Sequence, residues 1–166
     1  MNKIALFILS TENYIDPYKD TSYLLMLEAQ KRGLKILICD HRSIQYTYDK
    51  EAKKINIVES SQAHVVEVLE RKFVKDSVFV NSRWAAESGI KVKSKSEYFI
   101  IENFNLTDAS VIFMRSDPPV DNNYLEACSC LESIKDQVLI VNNPTALINF
   151  NEKLCTLNFP KIIPRT

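Results

Sequence analysis

Arg115, Ser116 and Asp117 stand side by side, and Pro118 and Pro119 follow at once. A guanidinium is a planar fork suited to a carboxylate or a phosphate. The Asp117 carboxylate can orient that fork or accept from an ammonium. Two prolines fix φ and remove two backbone donors, so a loop of this composition holds its charges with little entropy left to lose. The chemistry on offer is anion recognition. Two readings stay open from these residues alone: a ligand-binding loop, or an Arg115–Asp117 pair that closes the top of a sheet.

The elements around the loop bear on that choice. The apolar run Val111-Ile112-Phe113-Met114 enters Arg115 without a spacer and reads as a buried strand. Earlier, KIALFIL (3–9) is a first strand. A helix starts at Asp20 or Thr21, either of which can cap it. Leu24, Leu25, Met26, Leu27 and Ala29 give this helix one broad apolar face, and Gly33 stops it. LKILIC (34–39) is a second buried strand, completing a βαβ unit. The pattern returns after the loop as NNYLEACSCLESIKD (helix), QVLIVNN (strand) and PTALINFNEKLCTLNF (helix opening at Pro144). Between the halves, SIQYTYDKEAKKINIV reads as a hairpin around Asp49–Lys53. QAHVVEVLERKF reads as a helix, with Val65, Val66, Leu69 and Phe73 on one side. The predicted fold class is α/β: an open, mostly parallel Rossmann-like sheet flanked by helices, with a β-hairpin excursion in the middle of the chain. In such a sheet ligands bind beyond the carboxyl ends of the strands. RSDPP, STENYIDPYKD and NNP all occupy that position.

Composition narrows the function classes. The 166 residues are 46% hydrophobic and 25% charged, enough for a buried core. Lys+Arg and Asp+Glu are equal at 21 each, so no global basic footprint for nucleic acid exists. From Arg71 to Glu97 seven Lys/Arg face three Asp/Glu, with Trp84 and Tyr98 nearby, but no RNP motif is present; a solvated face is the reading taken. No apolar run reaches the roughly 18–20 residues that span a bilayer, and IALFIL lacks a cleavage site and reads as a strand. Only Gly33 and Gly89 occur, which excludes a glycine-rich phosphate loop within this chain. Cys39, Cys128, Cys130 and Cys155 show no Cys-x-x-Cys spacing and read as reduced, partly buried thiols of a cytosolic protein. His41 and His64 have no nucleophile motif nearby, so a Cys–His hydrolase is a poor fit.

Three ordered stretches carry a resemblance. KDTSYLLMLEAQKRG, VIFMRSDPPVDNNYLEA and VLIVNNPTALINFNEKLCTLNFP together resemble the N-terminal region of bacterial glutathione synthetases. The family's M-R-x-D-P-P-x-D loop is matched by Met114 to Asp121, its L-I-V-N-x-P by Leu139 to Pro144, and its N-E-K-L by Asn151 to Leu154. Relatives often carry a longer polar side chain where Ser116 stands, and the stretch from about 60 to 92 aligns poorly.

The resemblance implies a ligase that joins γ-glutamylcysteine to glycine with ATP and Mg2+ through an acyl phosphate. Residues 1–145 would be its N-terminal α/β domain, and 146–166 the start of the connection into an ATP-grasp module, supplied in cis or in trans. Arg115, Asp117, Asp20 and Ser22 are the implied substrate-side residues, and Lys153 the implied ATP contact. No catalytic residue and no metal ligand is assigned within this chain. The expected setting is the cytoplasm, with self-association and neither nucleic acid nor membrane as partner. The sequence ends at Thr166 where relatives continue, so the expectation is an excised domain, a truncated product or half of a split enzyme, inactive alone. A stand-alone interaction or regulatory module, or the N-terminal domain of another ATP-grasp ligase, are the alternatives.

Overall fold

Hydrophobic patterning and β-branched residues build strands that join in one sheet. The structure, a computed structural model, describes residues 3–10, 15, 20–68, 90–92, 100–117, 119–150, 158–159 and 161. Eight strands are described: β1 (Ile4–Leu9), β2 (Lys35–Asp40), β3 (Ile44–Asp49), β4 (Lys54–Val68), β5 (Ile90–Val92), β6 (Ile100–Asn105), β7 (Val111–Met114) and β8 (Leu139–Val141). Three α-helices accompany them: α1 (Thr21–Lys31), α2 (Asn122–Ile134) and α3 (Pro144–Asn149).

The strand order is β3-β4-β2-β1-β7-β8, with β5 and β6 also paired to β4. β2, β1, β7 and β8 are mutually parallel. Everything that pairs with β4 does so antiparallel. The α/β class stands, and the sheet is mixed: a parallel half joined through β2 to an antiparallel half built around β4. β2 runs into β3 through a short 3-10 turn, His41–Ser43, and both lie along β4. The hairpin around Asp49–Lys53 is present as β3–β4, and its turn is closed by Asp49 Oδ1 accepting from the Glu51 and Ala52 N–H groups.

Alternation along the parallel strands splits the core into two layers. Leu6, Ile8, Leu37, Cys39, Ile112 and Met114 meet α2 through Tyr124, Ala127, Cys128, Leu131 and Ile134. Ala5, Phe7, Leu9, Ile36 and Ile38 meet α1 through Tyr23 and Met26. Thus α1 and α2 cover opposite faces of the sheet. The broad apolar face expected on α1 is narrower than its sequence suggests. Leu24 and Leu25 are 44% and 40% exposed, and Ser22, Tyr23 and Met26 are the buried residues. Leu27 and Ala29 are partly buried against the same layer, while Leu24 and Leu25 fall outside the stripe that faces the sheet.

Two expected helices are corrected. QAHVVEVLERKF does not begin as a helix: residues 62–68 belong to β4, while Leu69 and Phe73 lie outside the described residues. Val65 is buried in the α2-side layer, Val66 and Val68 in the α1-side layer. A strand covered on both faces reads as a continuous apolar run, which mimics a helix by spacing, while its β-branched valines favour the sheet. The helix expected from Pro144 to Phe159 is, over its described part, the six residues of α3, and it closes at Phe150, whose backbone is extended. Asn149 Nδ2 donates to the Thr145 carbonyl, competing for the acceptor of the last helical turn. The N-E-K-L stretch, including Lys153, lies outside the described residues.

Candidate functional site

The chain leaves β1 toward β2 by way of α1 on one face, and leaves β7 toward β8 by way of α2 on the other. Strand order therefore reverses between β1 and β7. The carboxyl ends of the two strands at such a reversal are the place where open α/β sheets take their ligands. Below it the two strands are locked. Phe7 and Phe113 face each other in register and stack, ring centroids 4.5 Å apart and planes 9° from parallel.

Arg115 is the first residue beyond β7. Its N–H donates to the Ile8 carbonyl at 2.8 Å, so its backbone is an extension of the β1–β7 pairing. Its half-buried side chain crosses to α1. Nε donates to Ser22 Oγ at 3.1 Å and Nη2 to Thr21 Oγ1 at 2.8 Å. Asp20 caps α1, accepting from the Ser22 N–H at 2.7 Å, and so sets where the two hydroxyls sit. A guanidinium carries five N–H donors. Two bonds fix its plane and leave donors for an incoming anion.

Of the residues singled out by sequence, Arg115, Ser22 and Asp20 come together here. Asp20 serves as the helix cap. Asp117 is exposed, and among the described residues the partners of the Arg115 side chain are the hydroxyls of Thr21 and Ser22, not Asp117. Orientation of the guanidinium by Asp117 is thus replaced by orientation from α1. Among the described residues these partners are neutral hydroxyls, an arrangement that suits recognition of an external anion better than an internal ion pair does.

Three residues at this edge were not singled out as a site. Thr21 was considered only as a cap. Asn142, just beyond β8, has φ 67° and donates from Nδ2 to the Met114 carbonyl at 2.7 Å, bracing the residue before Arg115. Its signal was present in the N-N-P stretch, since Asn tolerates the left-handed region. His41, 6% exposed, lies 3.2 Å from Ser116 Oγ through Nδ1. Nothing local announces that contact. Asp121 caps α2 by accepting from the Tyr124 N–H at 2.8 Å, which ends the proline loop on a fixed helix start. Among the described residues no three of His, Cys, Asp and Glu gather as a metal-binding set. No helix among them is long and apolar enough to cross a membrane.

Helices on opposite faces, a reversal of strand order and an oriented guanidinium at that reversal define an open-sheet α/β domain that presents a cation at its carboxyl edge. Residues 3–147 match the family described as prokaryotic glutathione synthetase, N-terminal domain, and the chain belongs to that family. Individual relatives agree. A glutathione synthetase of Nostoc sp. is 29% identical over 161 residues, covering 96% of this chain and 44% of the relative. One from Brucella melitensis is 33% identical over 147 residues, and one from Vibrio cholerae 34% over 149, each covering 89% of this chain and 38% of the relative. The chain thus spans less than half the length of these relatives.

Proposed function

We propose that this chain is the peptide-substrate side of a glutathione synthetase. The complete enzyme would join γ-glutamylcysteine to glycine with ATP and Mg2+ through an acyl phosphate. The observation that carries the reading is Arg115, held by Thr21 and Ser22 at the strand reversal, inside the region that matches the family. γ-Glutamylcysteine bears two carboxylates. A bidentate guanidinium suits one of them better than a lysine point charge does. Asp117, exposed two residues further on, would accept from the substrate ammonium.

In this reading residues 1–145 form the substrate-side domain and 146–166 open the connection into an ATP-grasp module in cis or in trans. Lys153 would contact ATP. In this reading the ATP-grasp module supplies most of the nucleotide and metal ligands alongside Lys153, and the 166 residues alone would not make glutathione. A cytoplasmic, self-associating enzyme is the expected setting. Three buried free thiols, Cys39, Cys128 and Cys130, support a reducing compartment.

The test is steady-state kinetics on the full-length enzyme carrying Arg115→Lys, with thermal melts beside it. A raised Michaelis constant for γ-glutamylcysteine at unchanged melting temperature is the expected result. An unchanged Michaelis constant and turnover would reduce Arg115 to a residue that closes the sheet. Lys153→Ala should weaken ATP more than the peptide, by about 1.5–3 kcal/mol for one charged hydrogen bond; wild-type ATP affinity would remove that assignment.

A further inference from the structure

The two crossovers of the parallel half leave one of its surfaces uncovered. β1 steps to β2 with α1 on one face, and β7 steps to β8 with α2 on the other. α1 lies over β1, β2 and β4. Leu147 of α3 joins the α2-side layer together with Ile140. Among the described residues, neither α2 nor α3 covers the α1 side of β7 and β8. Residues paired in a sheet send their side chains to the same face. Val111 pairs with Leu139 and Phe113 with Val141, so these four form one apolar surface on that side. It grows barer toward the edge: Val111 and Phe113 are partly buried, whereas Leu139 is 64% and Val141 37% exposed. Strands of a parallel sheet are ordinarily covered on both faces.

The edge also lacks the charges that normally guard an exposed strand. Between Gln137 and Asn151 there is no Lys, Arg, Asp or Glu, in a chain that is 25% charged. The opposite edge strand, β3, runs into Asp49-Lys50-Glu51-Ala52-Lys53-Lys54. Apolar side chains in surroundings depleted of charge are the composition of an interface core. The occupant follows from the family. The match is to an N-terminal domain, and the relatives run on for more than half their length beyond the part matched. The chain leaves β8 directly into α3. The portion that the relatives add would therefore be tethered to the strand that carries the uncovered surface, and a short tether favours docking there through local concentration.

We propose that the surface of Val111, Phe113, Leu139 and Val141 is the seat of the ATP-grasp portion of a glutathione synthetase, which meets it with a neutral apolar patch of its own. This rests on the function proposed above and adds an interface to it. Phe113 stands two residues before Arg115 on the same strand, so the docked portion would brace the strand that delivers the guanidinium.

Cysteine labelling tests it. Leu139→Cys and Val141→Cys, each replacing an exposed side chain, are treated with a maleimide in the 166-residue chain and in the complete enzyme, and mass spectrometry locates the label. Tyr48→Cys, exposed on the far edge strand, is the control. Leu139→Cys and Val141→Cys should label quickly in the 166-residue chain and about tenfold or more slowly in the complete enzyme, at every protein concentration, while Tyr48→Cys reacts equally in both. Equal labelling of the two proteins overturns the proposal. Slowing in the 166-residue chain itself as its concentration rises makes a second copy the occupant and overturns it too. Leu139→Asp gives a second reading: it should lower the melting temperature of the complete enzyme and leave that of the 166-residue chain unchanged, and equal shifts in both overturn the proposal. The kinetics of Arg115→Lys are measured in parallel. A raised Michaelis constant beside equal labelling removes this inference and leaves the proposed function standing; an unchanged constant beside equal labelling removes both.

Discussion

Arg115 Nε and Ser22 Oγ lie 3.1 Å apart although 93 residues separate them in the chain. The bond ties the end of β7 to the start of α1, and it does so across the point where strand order reverses. A ligand bound there would touch groups from both halves of the parallel sheet. Ser22 is 3% exposed, so its hydroxyl is part of the framework and Arg115 is the member turned toward solvent.

Ser22→Ala should therefore be felt twice. Leaving the half-buried Nε without a partner should lower stability by about 1–3 kcal/mol, and the Michaelis constant for the anionic peptide should rise because the guanidinium swings on Thr21 alone. Thr21→Ala, at an exposed position, should lower stability by less. Denaturant unfolding of both variants, with kinetics on the full-length enzyme, checks the order. Equal and negligible effects would mean that Arg115 does not depend on α1 for its aim.

Asn142 offers a backbone test of the same edge. Its φ of 67° is a region that side chains other than Asn and Gly enter at a cost of about 1–2 kcal/mol. Asn142→Ala loses the bond to the Met114 carbonyl and adds strain. Asn142→Gly loses the bond alone. The alanine variant should unfold at lower denaturant than the glycine variant, with an equal rise in the Michaelis constant for the peptide if the bond aims Arg115. Equal stability of the two variants would remove the strain argument.

The buried thiols set a limit on alkaline stability. Burial pushes the Cys39 thiol up to about 12, helped by the nearby Asp40 charge and opposed by hydrogen bonds with Ser60 and Ser43. Burial likewise raises Cys128 and Cys130 to about 11. The unfolded chain releases these protons first, near a thiol's usual value of about 8.5. Stability from these groups is full below that pH and declines as pH rises from there toward 11–12. The folded chain should resist thiol reagents at pH 8 at these three positions and react on denaturation. Cys128→Ala should flatten the alkaline decline. Rapid labelling of Cys39 in the folded chain would contradict its burial.

Glu132 joins the last two described helices. Its carboxyl is held below the usual range by hydrogen bonds from Lys135 and then Thr145. For a depressed carboxyl the stabilising contribution is present above its unfolded value, near 4.3, and is lost as pH falls through the lower folded value. Glu132→Gln should weaken the hold of α2 on α3, seen as faster amide exchange within 144–149 and a shallower acid limb of the unfolding curve. Unchanged exchange would mean that α3 is held by its packing alone.

β1, β2, β7 and β8, with α1 and α2, were legible in the amino-acid order because each is a local pattern. An apolar run bounded by a cap or a Gly carries its own period, and the proline loop after Met114 marks a strand end without reference to the rest of the chain. Arg115 as an anion receiver was legible for the same reason, as its chemistry belongs to the side chain. Three features were decided only by tertiary structure. Val65 to Val68 became strand because β2 and β5 pair with its edges, and because Val65 on one face and Val66 and Val68 on the other are all buried, the alternation that marks a strand is blurred in sequence. Arg115 found Thr21 and Ser22 instead of Asp117 because β1 and β7 are neighbours. His41 reached Ser116 across 75 residues because β2, β1 and β7 stand in that order. Partners so far apart in the chain leave no periodic trace in it; their contact is a property of strand order, and strand order is set by which buried faces the whole chain can satisfy at once.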